Sequence, residues 1–480
     1  MAPPAPSPAA APATTDPWRR RLLTLLIGLF AVGVVVGWAS TSYFGRNPAA
    51  VESFAPTDGW CDPASQGLGV HCFGDFQVPR LFLDEESIYD PIYPAPGVKP
   101  VPNPYTPTSM APHVFAGAIE WVGLGQRTSM VVFLVLLAAA MLVPALWSIL
   151  GRPGRPRDWL PLLVIGVASG PFLTIMDRGN SAGFAVPFIL LFALYARRHP
   201  EWVAPVAMIG AALIRPQFIL LALALIAFGR IRSAAAAVAA WAALSIAAFA
   251  VIPGGFASNL SGWWSDLADF QDQIDRFAVP VVASTEFINI SAAHALTVID
   301  DWFAGAPGFL GTRVPMLTDW VVAHPVVPGA VLALAALVTV LFAPSRRIAP
   351  LALVIALIVP VLTQALSFGY YLMVVLVLAA LILGPSARVL DGDDGPGARD
   401  GMFAGIERAS VAMRAWAWVV LAAVGLSVVP ILITSDATTQ STLKGLLGVL
   451  WLAVVIATLV LAWVRPRALG LSPAPAPDDR

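Results

Sequence analysis

Residues 203–228 read VAPVAMIGAALIRPQFILLALALIAF, two apolar runs, 203–214 and 217–228, with Arg215-Pro216 between them. Read as one span, the stretch carries Arg230 and Arg232 to the side of a membrane opposite Arg197 and Arg198, and inverts everything downstream. Read as two half-length segments, it returns to the side it left. Pro216 favours the second reading: it has no N–H to donate and disfavours a helical conformation at the residue before it. Each half then rises ~18 Å at 1.5 Å per residue, and Arg215 stands at the apex of a broken helix inside the membrane envelope.

The rest of the chain is threaded outward from that apex. Apolar runs lie at 22–44, 129–150, 159–176, 181–196, 202–214, 217–228, 234–252, 327–342, 350–367, 371–384, 415–434 and 443–464. Basic residues fall at 19–21, 152/155/157, 197–198, 230/232, 346–347, 388–414 and 465/467, on alternate connections. Because the side of the membrane that keeps lysine and arginine is the cytoplasmic one, both termini are expected there. The predicted fold class is an all-α polytopic membrane bundle of about 12 transmembrane segments with large extracytoplasmic loops. Residues 1–18 are expected to be a disordered cytoplasmic N-terminus, 19–464 the transmembrane domain, and 465–480 a disordered cytoplasmic tail.

Composition agrees. With 58% hydrophobic residues, 12% charged and a mean hydropathy of +0.78 over 480 residues, the chain is too apolar for a soluble protein of this size. Its 28 basic and 29 acidic residues leave no whole-molecule field of the kind nucleic-acid binding needs. Arg19, Arg20 and Arg21 before the run 22–44 read as a retained signal anchor.

Two expected outer loops are large, 45–128 and 253–326. The first holds the only cysteines, Cys61 and Cys72, either bridged in an oxidising compartment or two free thiols. It also holds acids at Asp75, Asp84, Glu85, Glu86 and Asp90. Asp75 beside Phe76 is the candidate general base, since an aromatic neighbour favours a raised pKa. Asp84 is the runner-up, because a run of three acids is more often a solvated face. Asn103-Pro104-Tyr105 and Pro112-His113 read as turns to the interface, and His113 is a candidate sugar contact, although a lone His or Tyr there is more often structural. Trp263, Trp264, Trp302 and Trp320 in the second loop suit amphipathic segments at the interface.

A buried charge in a membrane marks function by default. Arg215 suits a lipid phosphate, with Gln217 beside it, and the alternative is a structural ion pair with an acid such as Asp177. The turn Asp177-Arg178-Gly179-Asn180 places an acid, a base and an amide at the outer boundary. It reads as sugar or phosphate binding through Arg178 and Asn180, or as a turn that merely ends two helices. Asn289 and Ser291 offer an amide and a hydroxyl to a sugar, and Tyr371 lies in the turn 367–371. No zinc spacing, Ser/His/Asp arrangement or phosphate loop stands out, so no cofactor or metal is expected.

In this order and on these sides, the pattern resembles the polyprenol-phosphate-mannose-dependent mannosyltransferases, integral-membrane glycosyltransferases of GT-C type. The resemblance rests on Asp75-Phe76, on Arg178-Gly179-Asn180 followed by the apolar stretch to Arg197-Arg198, on Ile214-Arg215-Pro216-Gln217, and on Asn289-Ile290-Ser291, across roughly residues 20 to 385. It implies transfer of mannose or a related sugar from a polyprenyl-phosphate donor to a glycolipid or envelope-glycan acceptor at the outer face of the plasma membrane. Asp75 would be the base and Arg215 the residue near the donor phosphate. The chain departs from the family in a Pro-rich insertion from Pro91 to Pro112, and in Phe368-Gly369-Tyr370-Tyr371, where such enzymes often carry a histidine. A lipid or glycolipid transporter or flippase is the alternative; it would show internal inverted repeats, and none is visible.

Overall fold

The computed structural model describes residues 73–90, 102–149, 156–283, 290–304, 320–364, 367–383, 402–430 and 437–470, with gaps at 84, 322, 365–366, 368, 404–405 and 407–408, and isolated positions between 24 and 35. Asp84, Asn289, Cys61 and Cys72 lie outside the described residues. Every element among those described is a helix. Among the described residues, four stretches are long and apolar enough to cross a membrane: Ala111–Ile149, Ile231–Val251, Val411–Val428 and Leu446–Trp463. Shorter apolar helices fill the space between them, the architecture of an α-helical membrane protein.

In chain order the helices are α1 (Gly74–Phe82), α2 (Ala111–Ile119), α3 (Gly125–Ile149), α4 (Pro156–Ala168), α5 (Gly170–Arg178), α6 (Val186–Tyr195), α7 (Val203–Ile214), α8 (Ala222–Ala227), α9 (Ile231–Val251), α10 (Phe256–Ala283), α11 (Ala292–Ala304), α12 (Val326–Phe342), α13 (Ala349–Leu362), α14 (Val374–Leu383), α15 (Val411–Val428), α16 (Ala437–Trp463) and α17 (Pro466–Leu469). Tight 3₁₀ turns precede α6 (Ser181–Ala185), α8 (Pro216–Leu221) and α14 (Gly369–Met373). Every residue of α14 is buried, and every residue of α13 except Pro350. Their sequences are apolar all round, which suits a helix enclosed on every side. The other segments pack around them.

The apex predicted at Arg215 is present. α7 ends at Ile214, Arg215 is extended (φ −142°, ψ 110°), and Pro216 opens the next turn. The chain then comes back to its starting end. Arg230 donates to the carbonyls of Tyr195 (3.2 Å) and Arg198 (3.0 Å) and approaches Glu201 at 3.8 Å. α7 thus rises ~18 Å before turning, while α9 beside it runs ~31 Å. Trp241 on α9 donates its Nε1–H to the carbonyl of Ala212, which fixes the two side by side. The apex stops short of the end of α9, and the segment around residues 103–109 sits over it, with Ser109 Oγ reaching the Leu213 carbonyl at 3.5 Å.

Several boundaries differ from those read in the sequence. The first large loop ends at Ala111 rather than near 128, because α2 runs through a break at Gly123 (φ 88°) into α3. The run 159–176 is two helices divided at Ser169, and Asp177 and Arg178 are the last residues of the second, not a turn. The expected tail from 465 begins with an ordered piece: α17 follows Arg465, Leu469 is buried, and its carbonyl accepts from Ser410 N. Met402 is buried, and its N–H donates to the Leu381 carbonyl.

The two large loops pack on each other. Phe82, Ile88, Tyr89 and Met110 from the first form a second, small core with Phe249 at the end of α9, flanked by Tyr105, Ile252 and Trp263.

Candidate functional site

Asp75 enters the site on the first turn of α1, whose start is fixed by Phe73 in the left-handed region (φ 43°). Arg178 closes α5, and Gly179 follows it with φ 64°, capping the helix. A side chain at 179 would meet Phe76 Cβ at 2.9 Å, so glycine both permits the turn and lets α1 lie against it. This brings the two charges into register. Arg178 Nε donates to Asp75 Oδ2 at 2.8 Å and Nη2 to Oδ1 at 2.9 Å, a two-pronged pair.

Asn180 is the centre of the arrangement. Its Nδ2 donates to Asp75 Oδ2 at 2.7 Å, while its Oδ1 accepts from Ala182 N at 2.8 Å and from Arg215 Nη2 at 2.9 Å. Arg215, 4% exposed, also reaches Ser181 Oγ at 3.4 Å, and its guanidinium lies 4.9 Å from the centre of the Tyr105 ring. The Arg215 Nε–H is buried with no hydrogen-bond partner. Both of these acceptors are neutral, so Arg215 is a buried cation whose hydrogen bonds go to no carboxylate among the described residues.

The expected raised pKa of Asp75 is corrected by this geometry. Burial pushes the carboxyl up, but the Arg178 charge and hydrogen bonds, the Asn180 amide and the Arg215 charge together hold it below the usual carboxylate range. Phe76 does not dry the carboxylate into a weak acid, because its own ring turns into the core against Phe133 at 4.8 Å. The suggested ion pair of Arg215 with Asp177 is likewise replaced: the carboxylate that acts on Arg215 is Asp75, through the shared Asn180 amide.

The remaining candidates divide. Tyr371 is buried on the 3₁₀ turn that packs against α5, its ring 4.7 Å from that of Tyr370. His113 is 2% exposed on α2, its ring 5.4 Å from Phe133 and 6.2 Å from Phe76, with Nδ1 buried and unpartnered. Gln217 Nε2 is also buried without a partner. Ser291 has a structural duty, since its hydroxyl accepts from His294 N at 3.1 Å and caps α11. Its neighbour Ile290 donates to the Ser367 carbonyl, so this segment lies beside the turn that carries Tyr371.

Sequence reasoning did not assign Tyr105 its place over Arg215, nor pair Arg80 with Glu120, which α1 and the break after α2 join at 2.8 and 3.2 Å. Burial raises the Tyr105 hydroxyl pKa, so it stays neutral. An aromatic beside a Pro-rich loop gives no sign of which buried cation it will cover. No family model, no curated protein and no solved structure matches this chain.

Proposed function

We propose that the chain is an integral-membrane glycosyltransferase, moving mannose or a related sugar from a polyprenyl-phosphate donor to a lipid or cell-envelope glycan acceptor. The observation that carries the reading is the buried cation at Arg215, bonded to neutral acceptors and with an unpartnered Nε–H at a helix break, joined through one amide to the carboxylate of Asp75. A phosphate monoanion supplies the charge and the acceptor oxygens that such a cation lacks.

In this reading Arg215 binds the donor phosphate, helped by Gln217 and by the tyrosine hydroxyls. Asp75 accepts the proton of the acceptor hydroxyl as that oxygen bonds to the anomeric carbon. The bond from that carbon to the phosphate oxygen breaks, and polyprenyl phosphate leaves with its electron pair. A depressed pKa suits the role in one respect, since Asp75 is in its basic form at neutral pH. The phosphate is a good leaving group, so a base and charge stabilisation carry more of the barrier than a strong acid. Arg178 and Asn180 hold the carboxylate in place until the acceptor hydroxyl arrives, and Asn180 fixes its distance from the phosphate site. About 12 membrane segments, cytoplasmic termini and a site on the extracytoplasmic side of the plasma membrane complete the proposal.

The test is incubation of the purified protein with polyprenyl-phosphate mannose carrying a radiolabel in the sugar, together with a membrane lipid extract. Label in a new product supports transfer. Movement of intact labelled donor between leaflets without a new product would replace the reading with transport.

A further inference from the structure

Helix α10 presents three different faces between Phe256 and Asp269. One is packed on the protein: Asn259 donates to the Phe249 carbonyl at 3.1 Å, Trp263 Nε1 donates to the Pro104 carbonyl at 3.3 Å, and Asp266 accepts from Asn103 N at 2.9 Å. Gly262 completes it, lying so close to Tyr89 that a side chain there would meet Tyr89 Cβ at 2.9 Å. The second face is exposed and apolar, with Ala257, Leu260, Trp264 and Ala268; Leu260 is 38% and Trp264 67% accessible. The third is exposed and polar, with Ser258, Ser261, Ser265 and Asp269.

We propose that α10 lies flat in the headgroup boundary of the bilayer, with Leu260 and Trp264 directed to the acyl chains and the serine face to water. The bilayer is then the partner that holds the 103–105 segment, and with it Tyr105, over Arg215. Continuity supports this occupant. α10 follows within a few residues the end of α9, a span long and apolar enough to cross the membrane, whose Ile246 and Val251 are 57% and 84% exposed. A helix with one flank on protein, one apolar and one hydroxylated matches the asymmetry of that boundary, where tryptophan is favoured. Asp266 and Asp269 on the same stretch make seating depend on apolar burial, not on attraction to anionic lipid.

The experiment places benzoylphenylalanine singly at 260, 261, 264 and 265 of the full-length protein in phosphatidylcholine vesicles, irradiates, and identifies adducts by mass spectrometry. Lipid adducts at 260 and 264 but not at 261 and 265 are expected, unchanged when phosphatidylglycerol is added. Adducts at all four positions, at none, or to a second protein copy overturn the proposal. As a second measurement, hydrogen exchange at residues 103–110 should speed up about tenfold in a Leu260→Asp/Trp264→Asp variant; unchanged exchange would show that lipid seating does not hold the cover. Neither readout depends on sugar transfer.

Discussion

The side-chain amide of Asn180 and the guanidinium of Arg215 meet at 2.9 Å, Nη2 donating to Oδ1, although 35 residues separate them. The other end of the same amide donates to Asp75, so one neutral group fixes the spacing between a carboxylate and a cation. The chain reversal at Pro216 and the turn at Gly179 are what bring them together.

Asp75→Asn should abolish transfer and also destabilise the protein. The substitution breaks the two-pronged pair with Arg178, at a cost of about 3 kcal/mol. Because the folded pKa is depressed, the wild-type contribution is present above the ordinary carboxylate pKa and is lost as pH falls below about 4. Thermal unfolding against pH should show that acid-side loss in the wild type and not in the variant.

Asp266 titrates the other way. Burial, reinforced by Asp269 and Asp90, raises its carboxyl to about 6 against the opposing Asn103 N–H. A raised folded pKa favours the folded state while the group is protonated, so stability declines as pH rises from about 4 to 6. Asp266→Asn, which keeps an acceptor for Asn103 N, should flatten the unfolding temperature across that window; an unchanged slope would assign it to another group.

Gly179→Ala should cost about 1–3 kcal/mol, from the left-handed backbone and from contact with Phe76 Cβ. Relief of that contact moves α1 away from α5, so activity should fall further than stability explains. Residual activity in the variant, measured at a temperature where it remains folded, checks this.

Arg215→Ala should lower use of the polyprenyl-phosphate donor by about 10²-fold and Arg215→Lys by about 10-fold, since lysine keeps the charge but loses the donors shared with Asn180 and Ser181. Acceptor KM should change little. Equal loss in both variants would mean that geometry, not charge, is what the site takes from Arg215.

Cysteine in place of Ile231 tests the side of the hairpin directly. Residue 231 is exposed and follows Arg230, which bonds to the connection before α7. An impermeant thiol reagent should label it from the cytoplasmic side alone, whereas labelling from outside would put the Arg215 apex on the cytoplasmic half.

The hairpin and the apolar segments were legible in the sequence because they are local. A proline fixes the conformation of the residue before it, and a run of apolar side chains reports its own burial. The residue types of the site were legible for a similar reason, since charges and amides among apolar runs stand out. Which of them meet was not. The pairing of Asp75 with Arg178 depends on α1 docking against Gly179, and its consequence, a carboxyl held low rather than raised, follows from partners that lie 103 and 105 residues away. That the Ser291 hydroxyl also caps a helix was not legible, because a hydroxyl serves whichever N–H the backbone brings to it. Tyr105 came to cover Arg215 only through the packing of two loops. Chain order alone specifies a helical, membrane-compatible chain and its broken segment; the electrostatics of the site came only with the fold, because they depend on distances that chain order does not set.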